Sequence, residues 1–169
     1  MKGFLVVIFI GVISFIIVVI VSILLWYDFG KNCGDYLKLA GDAPTVERAD
    51  MFLEKALQHI EESNLTSGNS AFIFHSPSAD VGIWYNQIRG AKATTERILY
   101  RISNDSGSVS QLEMDNALMK IREVVRDTGE SVTLPPHITW YPYQWAMLIW
   151  WLLSVLFIVI GVIALYRTI

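Results

Sequence analysis

The sequence predicts an all-α membrane protein in which two transmembrane helices flank a small extramembrane helical bundle. The first observation is a pair of apolar runs, residues 4–26 and 145–166, without a single charged residue. The second is that apolar residues between these runs recur every three or four positions, the spacing of one helical face. Charged residues make up only 17% of the chain, whereas soluble domains carry about 25%. We expect about three helices in the bundle.

Both apolar runs are long enough to cross a bilayer, whose core needs about 20 helical residues. The first run could instead be a cleaved signal peptide, but its charged leader is only three residues long and it ends in Leu24-Leu25-Trp26-Tyr27, without a small-x-small cleavage site. We therefore predict an uncleaved signal anchor. The predicted organisation is a tail (1–3), a first span (4–26), a domain (27–144), a second span (145–166) and a second tail (167–169).

The charge distribution predicts the orientation. All sixteen acidic residues and eleven of the thirteen basic residues lie between Asp28 and Gln144, giving this segment a net charge of 11 − 16 = −5. The tails contain only Lys2 and Arg167. Because positive charges favour the cytoplasmic side, we expect both termini in the cytoplasm and an extracytoplasmic or periplasmic domain, in a plasma or inner membrane.

Aromatic residues mark the ends of the spans, where an apolar ring with a polar edge suits the headgroup region. Trp26 and Tyr27 close the first span, and the second is preceded by Trp140, Tyr141 and Tyr143. Trp150 and Trp151 lie deeper, which predicts that at least one packs against protein or a flat cofactor. The candidate partner-binding residues in this part of the chain are Trp140, Tyr143, Trp150 and Trp151.

The segment after the first span contains Gly30, Gly34 and Gly41, which we expect to interrupt the chain and leave only a short helix at 35–40. Thr45 has the character of an N-cap. The helix that follows should end near Ser63, with one apolar face made of Val46, Ala49, Leu53, Ala56, Leu57 and Ile60.

Two further helices are predicted. One should run from about Ser78 to Ser103, with a seam formed by Val81, Trp84, Ile88, Ala91, Thr95, Ile98 and Ile102. The other should start at a capping box of Ser110 and Glu113 and stop at Gly129. Two short β-prone runs, 71–74 and 132–134, could pair into a minor two-stranded β patch.

The histidines and the cysteine do not form a recognisable chemical motif. His59, His75 and His137 lack the close spacing of metal-ligand pairs, and we expect polar or hydrogen-bonding roles for them. His137, among aromatic residues, leaves open an axial contact to a pigment or haem. Cys33 is the only cysteine, so it is either a buried packing residue or a link between two copies.

Several functional classes are disfavoured. The chain has no Walker loop, no Gly-x-Gly-x-x-Gly and no Gly-x-Ser-x-Gly, so we expect neither an enzyme nor a bound cofactor or metal. The negative domain argues against nucleic acid. Spans without ionisable residues argue against ion transport by this chain alone. Asn64 and Asn104 begin glycosylation acceptor patterns, which also occur by chance.

The most distinctive segment of the domain is Asp80-Val81-Gly82-Ile83-Trp84-Tyr85-Asn86. Trp84 and Tyr85 have the composition of an aromatic anchor for a partner. Trp84 is better explained as the largest core residue of the bundle. Tyr85 stays a candidate partner-binding residue.

These observations favour a non-enzymatic accessory or scaffold subunit of a larger membrane complex. Its partners would be the lipid bilayer and other integral membrane subunits or further copies of the chain. In layout alone, a helical domain between two spans resembles the sensing modules of bacterial chemoreceptors and sensor kinases. That resemblance implies the alternative hypothesis, an extracytoplasmic ligand- or peptide-binding module that signals through a partner.

Overall fold

The computed structural model describes residues 2–104, 109–126 and 133–167, without the side chains of residues 2 and 4. About 80% of the structure is helical, and no β-strand forms among the described residues. The chain divides into two compact units, one made of Met1–Tyr27 and Thr139–Ile169 and the other of Asp28–Ile138.

The first unit contains the long apolar helix α6 (Gln144–Tyr166) and, except for its last two residues, the long apolar helix α1 (Lys2–Phe29). A 3₁₀ turn at Ile138–Trp140 precedes α6. Both helices are long and apolar enough to cross a membrane, and only 11% of the most apolar window of each is buried. A core helix of a soluble protein would instead be mostly buried.

In its described residues the second unit is a bundle of four helices, not about three. These are α2 (Asp35–Gly41), α3 (Val46–Glu62), α4 (Val81–Asn104) and α5 (Gln111–Val125). The short helix predicted at 35–40 is confirmed as α2. Its place in the bundle was not predicted, because the contacts that attach it are long-range. Arg122 Nε on α5 donates to the Gly41 carbonyl at 3.0 Å, and Arg126 Nη2 lies 2.6 Å from Asp42 Oδ2.

The predicted glycine break after the first span is wrong. Gly30 and Gly34 lie in a π-helical turn, Gly30–Gly34, and the backbone stays helical from Lys2 to Gly41. Each glycine costs a helix about 1 kcal/mol relative to alanine. Burial of Cys33, Leu37 and Ala40, all at most 1% exposed, offsets that cost.

Helix α3 confirms its predicted face, since all six predicted apolar residues are buried. Thr45 Oγ1 accepts a hydrogen bond from Arg48 N, as expected of an N-cap. At the other end, Asn64 has a φ of 56°, Leu65 N donates to Ile60 O, and Asn64 N donates to Glu61 O. This Schellman pattern explains why α3 ends at Glu62, beside the predicted stop.

Helix α4 starts three residues later than predicted, because a 3₁₀ turn occupies Pro77–Ala79. Its seam is buried from Val81 to Ile98, and Ile102 is half-buried. Helix α5 begins at the Ser110 cap, whose Oγ accepts from Glu113 N at 3.2 Å. It ends at Val125, earlier than predicted, and Gly129 lies outside the described residues.

Residues 71–74 form no strand, contrary to the predicted β patch, and Val132 lies outside the described residues. An isolated antiparallel bridge joins Asn69 to Asp80. The ring of Phe72 contacts that of His137, and Ile73 and Phe74 are exposed, so this run has no neighbouring strand face to pack on.

Candidate interaction surfaces

A polar contact joins the two apolar helices. The Trp150 indole N–H donates to Ser14 Oγ at 2.9 Å, and Ser154 Oγ donates to the Trp150 carbonyl at 2.9 Å. Ser14 Oγ and Ser154 Oγ are 2.8 Å apart. Because the Ser154 hydrogen goes to the carbonyl, Ser14 donates to Ser154. The three residues therefore satisfy one another without water, as polar groups in an apolar surrounding must.

Gly11 and Gly161 both lie on one side of this contact, toward the N-terminus of α1 and the C-terminus of α6. A Cβ atom at Gly161 would lie 2.4 Å from Ile8 Cγ1 and 3.3 Å from Ile8 N. A Cβ atom at Gly11 would lie 2.9 Å from Ile158 Cγ1 and 3.1 Å from Ile158 N. Small residues let the backbones of two membrane helices approach closely. Gly11 and Gly161 do this for α1 and α6 within one chain.

The aromatic candidates of this unit differ in exposure. Trp150 and Trp151 are 37% and 41% exposed, and the Trp151 ring centroid lies 6.2 Å from that of Phe15 on α1. Trp140 is half-buried in the 3₁₀ turn, and Tyr143, ahead of α6, is 68% exposed. Trp150 and Trp151 both contact α1 of the same chain, and both side chains remain partly exposed.

Tyr85, the remaining candidate, belongs to the bundle and is buried there. Its hydroxyl donates to Glu61 Oε1 on α3 at 2.7 Å. That hydrogen bond is the main cause, and burial the second, of a pKa for Tyr85 that is raised above its usual range. Its neighbour Trp84 is 5% exposed and donates from Nε1 to the Thr133 carbonyl at 3.0 Å, which confirms Trp84 as a core residue.

A charge cluster centred on the buried Lys92 lies between α3 and α4, and no sequence motif predicted it. Lys92 Nζ is 2.9 Å from Asp50 Oδ1, 2.8 Å from Glu54 Oε2 and 3.3 Å from Glu96 Oε1. Thr95 Oγ1 lies 2.5 Å from the same Asp50 oxygen. Burial lowers the pKa of Lys92, but hydrogen bonds to Glu54 and Asp50 outweigh it and leave the pKa raised. The sequence feature that could have revealed this cluster is the position of Lys92, a lysine on the apolar seam four residues after Ile88.

Above this cluster, α3 and α4 form an open polar groove of about 600 Å³. Its charged lining consists of Glu54, Glu61, Glu62, Glu96, Arg89 and Lys92. Four acids against two bases leave −4 + 2 = −2, so the groove is suited to a positively charged group.

A second groove, of about 240 Å³, lies between α4 and α5. Its apolar lining consists of Gly90, Ala91, Ala117, Ile121 and Val124. The groove exists because α4 presents small residues here, and a Cβ atom at Gly90 would have nothing within 4 Å. A glycine in the middle of a 24-residue helix was the signal that could have revealed it.

The histidines and the cysteine are dispersed over the bundle. His59 Nε2 is 3.8 Å from Asp28 Oδ2, and the His137 ring contacts Phe72 at 5.0 Å, with a backbone φ of 56° at His137. Cys33 is fully buried, and burial raises the pKa of its thiol to about 12. Within the described ranges, no three His, Cys, Asp or Glu side chains come together as a metal site.

Comparison of the chain with protein-family models, with curated proteins and with solved structures finds no match. The features that indicate a function are therefore the two helix–helix grooves and the apolar helix pair.

Proposed function

We propose that this protein is a non-enzymatic accessory or scaffold subunit of a larger membrane complex. In this proposal α1 and α6 anchor it in the bilayer, both termini are cytoplasmic, and the bundle offers a docking surface outside. The observation that carries the proposal is the α4–α5 groove, a concave apolar surface kept open by Gly90.

Membrane insertion is supported by the surface of the two apolar helices. Their large Ile, Val, Leu and Phe side chains are exposed along most of their length, which in water would be an unusually large apolar surface. The hydroxyl groups of Ser14 and Ser154 and the Trp150 indole satisfy one another, so inserting the helix pair leaves these groups paired.

The size of the α4–α5 groove favours a protein partner over a small molecule. Pockets for small ligands usually measure about 300–1,000 Å³, and this groove is below that range at about 240 Å³. An apolar side chain of a partner segment fits its floor of Ala91, Ala117 and Ile121. Lys120 at the margin adds a positive charge for an acidic neighbour in that segment.

The groove can be filled without damaging the fold. Gly90→Leu places a side chain in open space and replaces a poor helix former, so the helix should gain about 1 kcal/mol. Gly90→Ala gives a similar helix gain but adds only one methyl group, which makes it the matched control. We expect pull-downs of the full chain in mild detergent to recover stoichiometric partners with the wild type and with Gly90→Ala, and not with Gly90→Leu.

Two results would count against this proposal. Recovery of the same partners with Gly90→Leu would exclude the groove as the docking surface. Purification of the wild-type chain alone, from native membranes and in mild detergent, would contradict the subunit role itself.

The alternative is an extracytoplasmic module that binds a ligand and signals through a partner. The α3–α4 groove favours this candidate, since about 600 Å³ lies in the range of small-ligand sites and its net charge suits a cationic ligand. A polyamine or a basic peptide should then raise the unfolding temperature of the purified chain, and Glu62→Gln should weaken the effect. Gly90→Leu should leave this binding unchanged.

A further inference from the structure

The loop between α3 and α4 carries a compact apolar tip. Ile73 is 73% exposed and Phe74 is 85% exposed, the latter the most exposed large apolar side chain among the described residues of the bundle. The stretch 63–79 contains no Asp, Glu, Lys or Arg, although the rest of the bundle is rich in them. An exposed pair of large apolar side chains on an uncharged loop marks an interaction surface.

Backbone hydrogen bonds between the two ends of the loop, here called its neck, hold the loop in shape. Ser70 N donates to the Ala79 carbonyl at 2.9 Å, and Val81 N donates to the Gly68 carbonyl at 2.9 Å. Ser70 and Ala79 are fully buried. Because the neck is already ordered, presenting the tip to a binding surface costs little additional conformational entropy.

The loop joins the end of the bundle at which the chain enters from α1. Phe29 is three residues beyond Trp26, about 4.5 Å along the helix axis. The Phe29 ring lies 6.2 Å from that of His59 and 6.4 Å from that of Trp84. His59 is in the last turn of α3 and Trp84 is in the first turn of α4, so both ends of the loop are next to Phe29.

The chain also leaves the bundle at this end. The Phe72 ring contacts that of His137 at 5.0 Å. Helix α6 begins at Gln144, seven residues after His137, a distance of at most about 25 Å for an extended chain. Both connections to the apolar helices therefore start beside the loop that carries Ile73 and Phe74.

We propose that the Ile73–Phe74 tip inserts into the headgroup region of the bilayer that α1 and α6 cross. This proposal rests on the membrane insertion of α1 and α6 proposed above. Lipid is the occupant favoured by the absence of charge in the loop and by the short connections to both spans. Apolar and aromatic side chains without a paired charge suit the boundary between headgroups and acyl chains.

The test adds one labelled cysteine at a time to the full chain in phosphatidylcholine nanodiscs. Phe74→Cys carries a polarity-sensitive nitrobenzoxadiazole group, and nitroxide lipids quench it from the headgroup or from the end of the acyl chain. Leu112→Cys is the matched control, 69% exposed beside Glu113, which pairs with Arg101. Arg101 lies about 25 Å along α4 from Trp84. Leu153→Cys on α6 reports on the span, and the unmodified chain, with its buried Cys33, gives the labelling blank.

We expect blue-shifted emission at position 74, with the headgroup nitroxide quenching more strongly than the deep one, and water-like emission at position 112. Water-like emission at position 74 would overturn the proposal. So would a label at 74 that is shielded from aqueous iodide but not quenched by either lipid, because a protein would then cover the tip. Loss of lipid quenching at position 153 would instead contradict membrane insertion itself.

Discussion

The indole N–H of Trp150 donates to Ser14 Oγ across 2.9 Å, although the two residues are 136 positions apart in the chain. This contact places Ser14 and Ser154 at the centre of the α1–α6 pair. The proximity of these two serines can be tested directly by cross-linking.

Ser14→Cys combined with Ser154→Cys should form an intramolecular disulfide under mild oxidation, because the two Oγ atoms are 2.8 Å apart and a disulfide needs closely spaced Cβ atoms. Ser22→Cys with Ser154→Cys is the control, since Ser22 lies about 12 Å further along α1. The measurement is a non-reducing gel after proteolysis within the bundle. Equal cross-linking of both pairs would contradict this register.

Gly161→Leu in the double-cysteine chain should lower the cross-linking yield. Its Cβ atom alone would come within 2.4 Å of Ile8 Cγ1 and 3.3 Å of the Ile8 backbone, so the helices must separate. Gly3→Leu is the control, since nothing lies within 4 Å of a Cβ atom there. An unchanged yield for Gly161→Leu would mean that the helices do not approach at this glycine.

Trp84→Ala should destabilise the bundle by about 3–5 kcal/mol, the usual cost of truncating a buried large aromatic residue. Trp84 is 5% exposed, and the change also leaves the Thr133 carbonyl without its indole donor. The readout is urea denaturation of the full chain followed by circular dichroism. Tyr100→Ala, at a residue that is 71% exposed, should change stability by about 0.5 kcal/mol or less. A similar small change for Trp84→Ala would place its ring outside the core.

Lys92→Met should cost about 1.5–3 kcal/mol, the range for hydrogen bonds to charged groups. It keeps the aliphatic stem but leaves Asp50, Glu54 and Glu96 facing one another without a cation. Lys120→Met, at an exposed lysine of α5, is the control in the same denaturation experiment. If the two variants lose equal stability, the cluster does not stabilise the α3–α4 contact.

Stability should fall in alkaline solution. Folding raises the pKa of Cys33 from 9.0 to about 12 and also raises those of Tyr85 and Lys92. The unfolded chain then loses these protons first, so the stability that these three groups contribute is constant below their unfolded pKa values and decreases as pH rises above them. For Cys33 the decrease begins near pH 9. Thermal unfolding measured from about pH 8 to pH 11 should show the decline, and Cys33→Ala should remove its earliest part. A flat profile to pH 11 would contradict it.

Local patterns accounted for much of the bundle. The six buried residues of α3, its Thr45 cap and the Ser110 cap of α5 each depend on neighbours within a few positions. The role of α2 depends on Arg122 reaching Gly41, 81 positions away, and no local pattern encodes that contact. Glycine propensity alone favoured a break at Gly30 and Gly34, and tertiary burial overrode it.

The candidate surfaces were harder to predict. The depth of Trp150 and Trp151 indicated packing against protein, but periodicity cannot say whether that protein is α1 or another chain. Lys92 appeared as one charged residue among many until α3 brought Asp50 and Glu54 beside it. Gly90 is a gap in the side-chain pattern, and only the facing helix α5 turns that gap into a groove.

The burial of Lys92 makes it an internal reporter of the folded state. Amine-reactive esters acylate neutral, accessible lysines. The Lys92 ammonium group stays protonated because its pKa is raised, and access to it is limited because its side chain is only 11% exposed. In mass-spectrometric footprinting Lys92 should be acylated far more slowly than Lys38, which is exposed and lies outside both grooves. The ratio of the two rates then measures the integrity of the bundle in any detergent, nanodisc or native membrane in which partners are sought.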